Sequence, residues 1–264
     1  MTRRVLTLLG CLFVAAACDT GTPEPGTTDT GTAAAPDVAS GPAFLTLHLY
    51  NPVSEAEHAQ FLSNLTMLNR AVIEAGHPET QYTVWRVTGE QSGDHAYLFG
   101  SIWTDRAVYD AVHTHEAYLT ATAAIEDTDT EPLVDEVYNR YVQLSPAVAD
   151  PVAMPDTGPM LLALHRFNLS SADSEGEFVA LLEDLNEAVA AAGHPETRYS
   201  VWKITGEQTG DFGYLFASVW ADRAAYDAVH AHPAYQDLTE TRSGVFDALI
   251  VDQIYNQYEL VGPN

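Results

Sequence analysis

From Ala43 to Tyr50 the chain alternates, with Leu45, Leu47 and Leu49 on one face and Phe44, Thr46, His48 and Tyr50 on the other. A period of two predicts a β-strand. From Ser54 to Ala75 the spacing changes to three and four, with Phe61, Leu65, Leu68 and Val72 on one stripe, and this predicts a helix. Gly76 followed by Pro78 supplies its stop. Two β-rich runs, Gln81 to Thr88 and Ala96 to Trp103, flank a turn-forming segment from Gly89 to Asp94 and read as a hairpin. Asp105 is placed to cap a second helix running to about His115, and Val134 to Leu144 forms a last strand. The predicted order is β-α-β-β-α-β, the split unit of ferredoxin-like domains.

The same pattern then returns. Gly76-His77-Pro78-Glu79-Thr80 recurs as Gly193-His194-Pro195-Glu196-Thr197, and Gly89-Glu90-Gln91 as Gly206-Glu207-Gln208. A constant offset of 117 also joins His48 to His165 and Tyr138-Asn139 to Tyr255-Asn256. A period this long belongs to a duplicated domain rather than a solenoid. The expected domains are residues 43–144 and 160–261, joined by a proline-rich linker at 145–159 that contains Pro146, Pro151, Pro155 and Pro159.

Composition adds a cellular address. Arg3 and Arg4 precede an apolar run from Val5 to Ala17 that ends in Ala15-Ala16-Ala17-Cys18, so residues 1–18 read as an export signal. The run is too short for a spanning helix. Cysteine directly after small residues resembles a bacterial lipobox, which implies acylation of Cys18. The protein is then expected to face the periplasm or cell surface, held to a membrane by a lipid anchor only. Residues 19–42, rich in Thr, Gly and Pro, predict a disordered tether. Both cysteines lie in the signal region, leaving the domains without disulfide or thiolate chemistry. With 11 basic against 37 acidic residues the net charge is −26, which excludes nucleic acid as a partner.

If the leucines of the first strand face the helices, an aromatic face is left over. It comprises Phe44, His48, Tyr50, Tyr97, Phe99, Ser101 and Trp103, and in the second copy His165, Phe167, Tyr214, Phe216, Ser218 and Trp220. A surface this apolar demands a cover. The matching face of the other repeat is the simplest one, giving an α+β fold of two tandem ferredoxin-like domains closed into one intramolecular, pseudo-dimeric barrel.

With this order of elements, the strand ending in Trp103, and the segments Tyr109-Asp110-Ala111-Val112-His113-Thr114-His115 and His232-Pro233-Ala234-Tyr235, the chain resembles the dimeric α+β barrel superfamily. That group includes stress-responsive A/B barrel, antibiotic-biosynthesis-monooxygenase-like, EthD-like and NIPSNAP-like domains, and the second copy is most similar to the stress-responsive pattern. The resemblance implies the barrel, and it implies activities ranging from cofactor-free oxygenation and isomerisation to haem degradation. The asparagine–tryptophan–histidine set of the haem-degrading branch has no residue-by-residue counterpart here.

Candidate chemistry centres on repeated histidines and aromatics. His48 and His165, mid-strand and expected to point into the barrel, are candidate general bases. Tyr50, Trp85, Tyr97, Trp103, Trp202, Tyr214 and Trp220, with His113, His115, His230 and His232, are candidate ligand contacts. His113 and His115, two apart on a helix, cannot clamp one metal together. No metal site or cofactor is expected, and zincin, phosphate-loop, thiol-redox and nucleophile-elbow motifs are absent from the sequence. The leading expectation is a binding module for a small apolar or aromatic molecule. A cofactor-independent monooxygenase or isomerase, or a ligand-free surface module, are the alternatives, and oligomerisation beyond the barrel is left open.

Overall fold

A computed structural model describes residues 41–90, 93–127, 133–145, 159–206 and 210–263. The expected signal, Cys18 and nearly all of the tether, together with most of the linker, lie outside the described residues. The first repeat runs β1 (Phe44–Pro52), α1 (Glu55–Glu74), β2 (Thr83–Thr88), β3 (Tyr97–Trp103), α2 (Arg106–His113), α3 (Glu116–Glu126) and β4 (Leu133–Ser145). The second runs β5 (Leu161–Leu169), α4 (Glu175–Ala191), β6 (Ser200–Thr205), β7 (Tyr214–Trp220), α5 (Arg223–His230), α6 (Pro233–Leu249) and β8 (Ile250–Gly262).

Local signals explain the elements. Ser54 caps α1 by accepting from the Glu57 amide, and its hydroxyl donates to the Glu57 carboxylate at 2.7 Å. Asp105 and Asp222 cap α2 and α5 by accepting from Val108 and Ala225 at 2.8 Å. Gly76 and Gly193 leave α1 and α4 at φ of 95° and 96°, the left-handed region that penalises a side chain. One element differs from expectation. The second helix of each repeat is broken, and a further helix follows, because His115 and His232 adopt extended backbone and their Nδ1 atoms accept from the Ala117 and Ala234 amides at 3.3 Å. These two histidines are N-caps rather than ligand contacts.

The eight strands close into one antiparallel barrel in the order β1-β3-β2-β8-β5-β7-β6-β4. The seams between repeats are β2 with β8 and β4 with β6, so the last strand of each half pairs with the hairpin of the other. Asn51 and Asn168 tie the hairpins down, each donating to a carbonyl (Asp94 or Asp211) at 2.8 Å and accepting an amide (Ala96 or Gly213).

The two faces of the sheet are assigned opposite to the expectation. Tyr50 packs on Phe61 of α1 with ring centroids 5.3 Å apart, and Phe44 and Trp103 pack on Tyr109 of α2 at 5.0 and 5.5 Å. The aromatic face is therefore the helix-covered one. The leucines turn inward, where Leu47, Leu49, Trp85, Leu98 and Tyr141 of one repeat meet Leu162, Leu164, Trp202, Leu215 and Tyr258 of the other in a single cluster. Alternation could not decide between these assignments, because a period of two fixes which residues share a face but not which side it takes, and β1 carries large apolar side chains on both faces. An eight-stranded barrel leaves an interior just wide enough for side chains to fill. Trp85 and Trp202, expected as ligand contacts, are filling here, their indole N–H groups donating to Thr83 and Ser200 at 2.9 and 2.8 Å.

Because both halves share this interior, they should unfold together. Far-ultraviolet circular dichroism and tryptophan fluorescence should give coincident denaturant transitions. Trp202→Ala should lower stability by about 3–5 kcal/mol without splitting the transition.

Candidate functional site

With the interior filled, the space for a ligand lies outside the barrel, between the second repeat's sheet and its helices. A cavity of about 310 Å³ opens there, with Ala163, His165, Phe216 and Tyr255 as its floor. Leu181 and Leu185 of α4 form one wall; α6 supplies Tyr235, Thr239, Arg242, Ser243, Phe246 and Asp247, spaced as one helical face. Tyr199, Tyr226 and His230 close the inner end.

Register places the floor. His165 stands opposite Phe216 on β7 and Tyr255 on β8, and its ring is stacked between theirs at 4.0 and 4.2 Å. Its Nδ1 meets the Gln253 amide. Burial drives the His165 pKa down to about 3, with His230 nearby pushing the same way, so the imidazole is neutral. In the first repeat His48 is stacked likewise between Phe99 and Tyr138, but its Nδ1 meets the Glu136 carboxylate at 2.5 Å. Burial lowers the His48 pKa too, against the opposing pull of Glu136.

The inner end is built on α5 and on a buried asparagine. Asn186 of α4 donates to the Tyr199 carbonyl at 3.0 Å and accepts its amide at 2.6 Å, fixing the entry of β6. The Tyr199 hydroxyl lies 2.9 Å from that of Tyr235 and 3.4 Å from His230 Nε2. His230 Nδ1 faces the Tyr226 carbonyl at 2.8 Å, so Nδ1 carries the proton and Nε2 offers a lone pair. Burial lowers the His230 pKa, outweighing the carbonyl bond. The first repeat builds the same chain from Tyr118, Tyr82, His113 and the Tyr109 carbonyl, and burial takes His113 down to about 4. At the cavity mouth Arg242 of α6 donates to Asp184 of α4 at 2.9 Å.

Of the expected site residues, the cavity brings together His165 and His230. Trp103 and Trp220 lie under α2 and α5 in edge contact with Tyr109 and Tyr226, and Tyr50 and Tyr97 pack with His58. Tyr214 donates to Glu175 at 3.0 Å, away from the cavity lining. Sequence reasoning missed Tyr199, Tyr226, Tyr235 and Tyr255. Their signal was present, since each is matched by a tyrosine in the first repeat (Tyr82, Tyr109, Tyr118, Tyr138), just as the histidines are matched. Among the described residues no three His, Cys, Asp or Glu side chains stand together as a metal site requires.

Comparison with known proteins agrees with this architecture. Both halves of the α+β barrel lie in one polypeptide. Residues 160–241, which carry most of the cavity lining, match the model of the antibiotic biosynthesis monooxygenase family. Among solved structures, a proposed monooxygenase from Lactobacillus acidophilus superposes with a TM-score of 0.55 at 11% identity, over 84% of this chain and 94% of that one. A second, from Fusobacterium nucleatum, superposes at 0.52 and 9% identity, over 84% and 93%. No curated protein sequence matches the chain.

The neutral histidines have a consequence for stability. Unfolded, each should protonate near its ordinary pKa of 6.5, whereas the folded chain refuses the proton until about pH 3 for His165 and about pH 4 for His113. Between pH 6.5 and those values the unfolded state holds more protons, so stability falls as pH falls, by up to about 1.4 kcal/mol per pH unit for each such group. Thermal melts of His165→Gln should therefore show a shallower loss of melting temperature from pH 6.5 to 4 than the parent chain.

Proposed function

We propose that the protein binds one small aromatic or largely apolar molecule in the second-repeat cavity. The observation that carries this reading is the open-mouthed space of about 310 Å³, walled by aromatic and leucine side chains with a few hydroxyl and imidazole groups among them. That is the usual make-up of a small-molecule site, in which apolar area gives affinity and sparse polar groups give orientation. Calorimetry with 1-naphthol as the probe should show a single equivalent bound per chain. Ser243→Trp, which places an indole at the exposed mouth, should weaken binding at least about tenfold without lowering the melting temperature. Unchanged affinity in that variant would place the ligand elsewhere.

A second reading, cofactor-independent oxygenation, is supported by the family match to residues 160–241 and by the two similar monooxygenase structures. His230 would then serve as the lone-pair base toward an activated substrate, with His165, whose Nδ1 takes the Gln253 amide, beside it as an N–H donor. An oxygen electrode separates the readings. Substrate-dependent oxygen uptake that is lost in His230→Gln supports the enzyme; binding without uptake supports the binding module.

We infer in addition that the protein is exported and held to a bacterial membrane through Cys18. The basic start, the short apolar run and Ala15-Ala16-Ala17-Cys18 support this. Mass spectrometry of the mature protein should find an acylated N-terminal Cys18. An unmodified start at any other residue would exclude the anchor.

A further inference from the structure

Among the described hydroxyl groups that line the cavity, one hydrogen has no acceptor in the protein. Tyr199 and Tyr235 hold each other and His230 Nε2, the Thr239 hydroxyl donates to the Tyr235 carbonyl, and the Ser243 hydroxyl donates to the Glu240 carbonyl. Tyr226 and Tyr255 differ. Their hydroxyls are 2.8 Å apart, and a single hydrogen serves that bond. Tyr255 also receives the Gln257 side-chain amide at 2.6 Å. The orientation of that amide is fixed from outside, because the oxygen of Gln257 faces the Arg223 guanidinium, which can only donate. Both phenol oxygens therefore already accept or share, and whichever tyrosine donates to the other, one hydroxyl hydrogen remains for a group in the cavity.

The chain leading to that hydrogen begins at a permanent positive charge. Arg223, exposed at the start of α5, donates to Gln257, Gln257 donates to Tyr255, and Tyr255 is bonded to Tyr226. Arg223 is itself steadied by Thr88 of the first repeat at 3.1 Å and lies 5.8 Å over the Tyr226 ring. Each bond polarises the next in the same sense, which strengthens the terminal O–H as a donor. The first repeat is wired differently. Arg140 occupies the place of Gln257 and lies over Tyr138, Arg106 pairs with Asp110 at 2.9 Å, and the Tyr109 and Tyr138 hydroxyls are 3.3 Å apart.

We propose that the Tyr226–Tyr255 end of the cavity seats an anionic oxygen of the ligand, so that the site selects a small aromatic molecule with an ionisable oxygen and binds it as the anion. Arg223 and Gln257 are positioning residues that act through the two tyrosines. The inference rests on the reading of the cavity as a ligand site and adds the charge state that the site prefers.

The test uses 4-nitrophenol, whose neutral and ionised forms absorb at different wavelengths, titrated with the mature protein across pH. The bound probe should ionise at a lower pH than the free probe. Gln257→Glu keeps the size of the side chain but makes it an acceptor, so it takes the Tyr255 hydrogen, Tyr226 then donates to Tyr255, and none remains for the ligand. The preference for the anion should fall by about tenfold or more in that variant, while Arg223→Lys, which keeps the charge, should retain most of it. A merely structural role would alter affinity or melting temperature and leave the ionisation midpoint in place. An unchanged midpoint in Gln257→Glu would overturn the inference while the cavity reading stands. Failure of the wild-type protein to bind the probe, with 1-naphthol also failing, would overturn both, and failure with 4-nitrophenol alone would overturn the inference only.

Discussion

Closure of the sheet into a barrel pairs its edge strands and covers its inner face at once, and the rest of the architecture follows from that. A single repeat would leave the outer edges of β2 and β4 unpaired, together with an apolar inner face, and exposed edges of that kind invite aggregation. Pairing β2 with β8 and β4 with β6 removes the edges and covers the face in one step. The inner cluster draws Leu47, Trp85 and Tyr141 from one half and Leu164, Trp202 and Tyr258 from the other, so neither half owns its core. With the barrel filled this way, the apolar cavity of the second repeat lies in the layer between sheet and helices.

Duplication supplies two such layers, and they have diverged at the positions that matter for chemistry. Leu181 on the cavity wall corresponds to Asn64, Arg242 at the mouth to Ile125, and Asp184 to Met67. The carboxylate that meets His48 becomes the Gln253 amide beside His165. Even the buried tryptophans differ. Trp220 donates to Ser218 at 2.8 Å, whereas Ser101 is engaged by Thr46 at 2.9 Å and the Trp103 N–H has no partner among the described residues. An unsatisfied buried N–H costs about 1–3 kcal/mol, and position 163, an alanine, avoids that cost in the second repeat.

The chain announced its barrel far better than its site. The Gly76 and Gly193 stops, the Asp105 and Asp222 caps and the offset of 117 each report a local requirement that only a few residue types meet, so they were legible. The direction in which His48 and Leu47 point was not, since a period-two pattern fixes which residues share a face but not which side that face takes. His115 and His232 were misread for a related reason, because a histidine that accepts an amide through Nδ1 leaves no mark in composition. The tyrosine and glutamine network around Tyr255 joins β8, α5 and a threonine of the other repeat, so its members are far apart in sequence and meet only when the barrel closes.

A net charge of −26 favours protonated histidines, yet His165 and His113 are held neutral. The two influences differ in range. Surface carboxylates act through solvent and are screened over about 8–10 Å, whereas loss of solvent acts on the imidazole itself and moves a fully buried group by up to about 3–5 pKa units. The nearer effect wins inside the sheet–helix layer. The charge that a ligand would meet there is therefore set by the few groups that reach the cavity, Asp247 and the Asp184-paired Arg242 on the α6 wall and Arg223 acting through Gln257 at the inner end, rather than by the acidic surface as a whole.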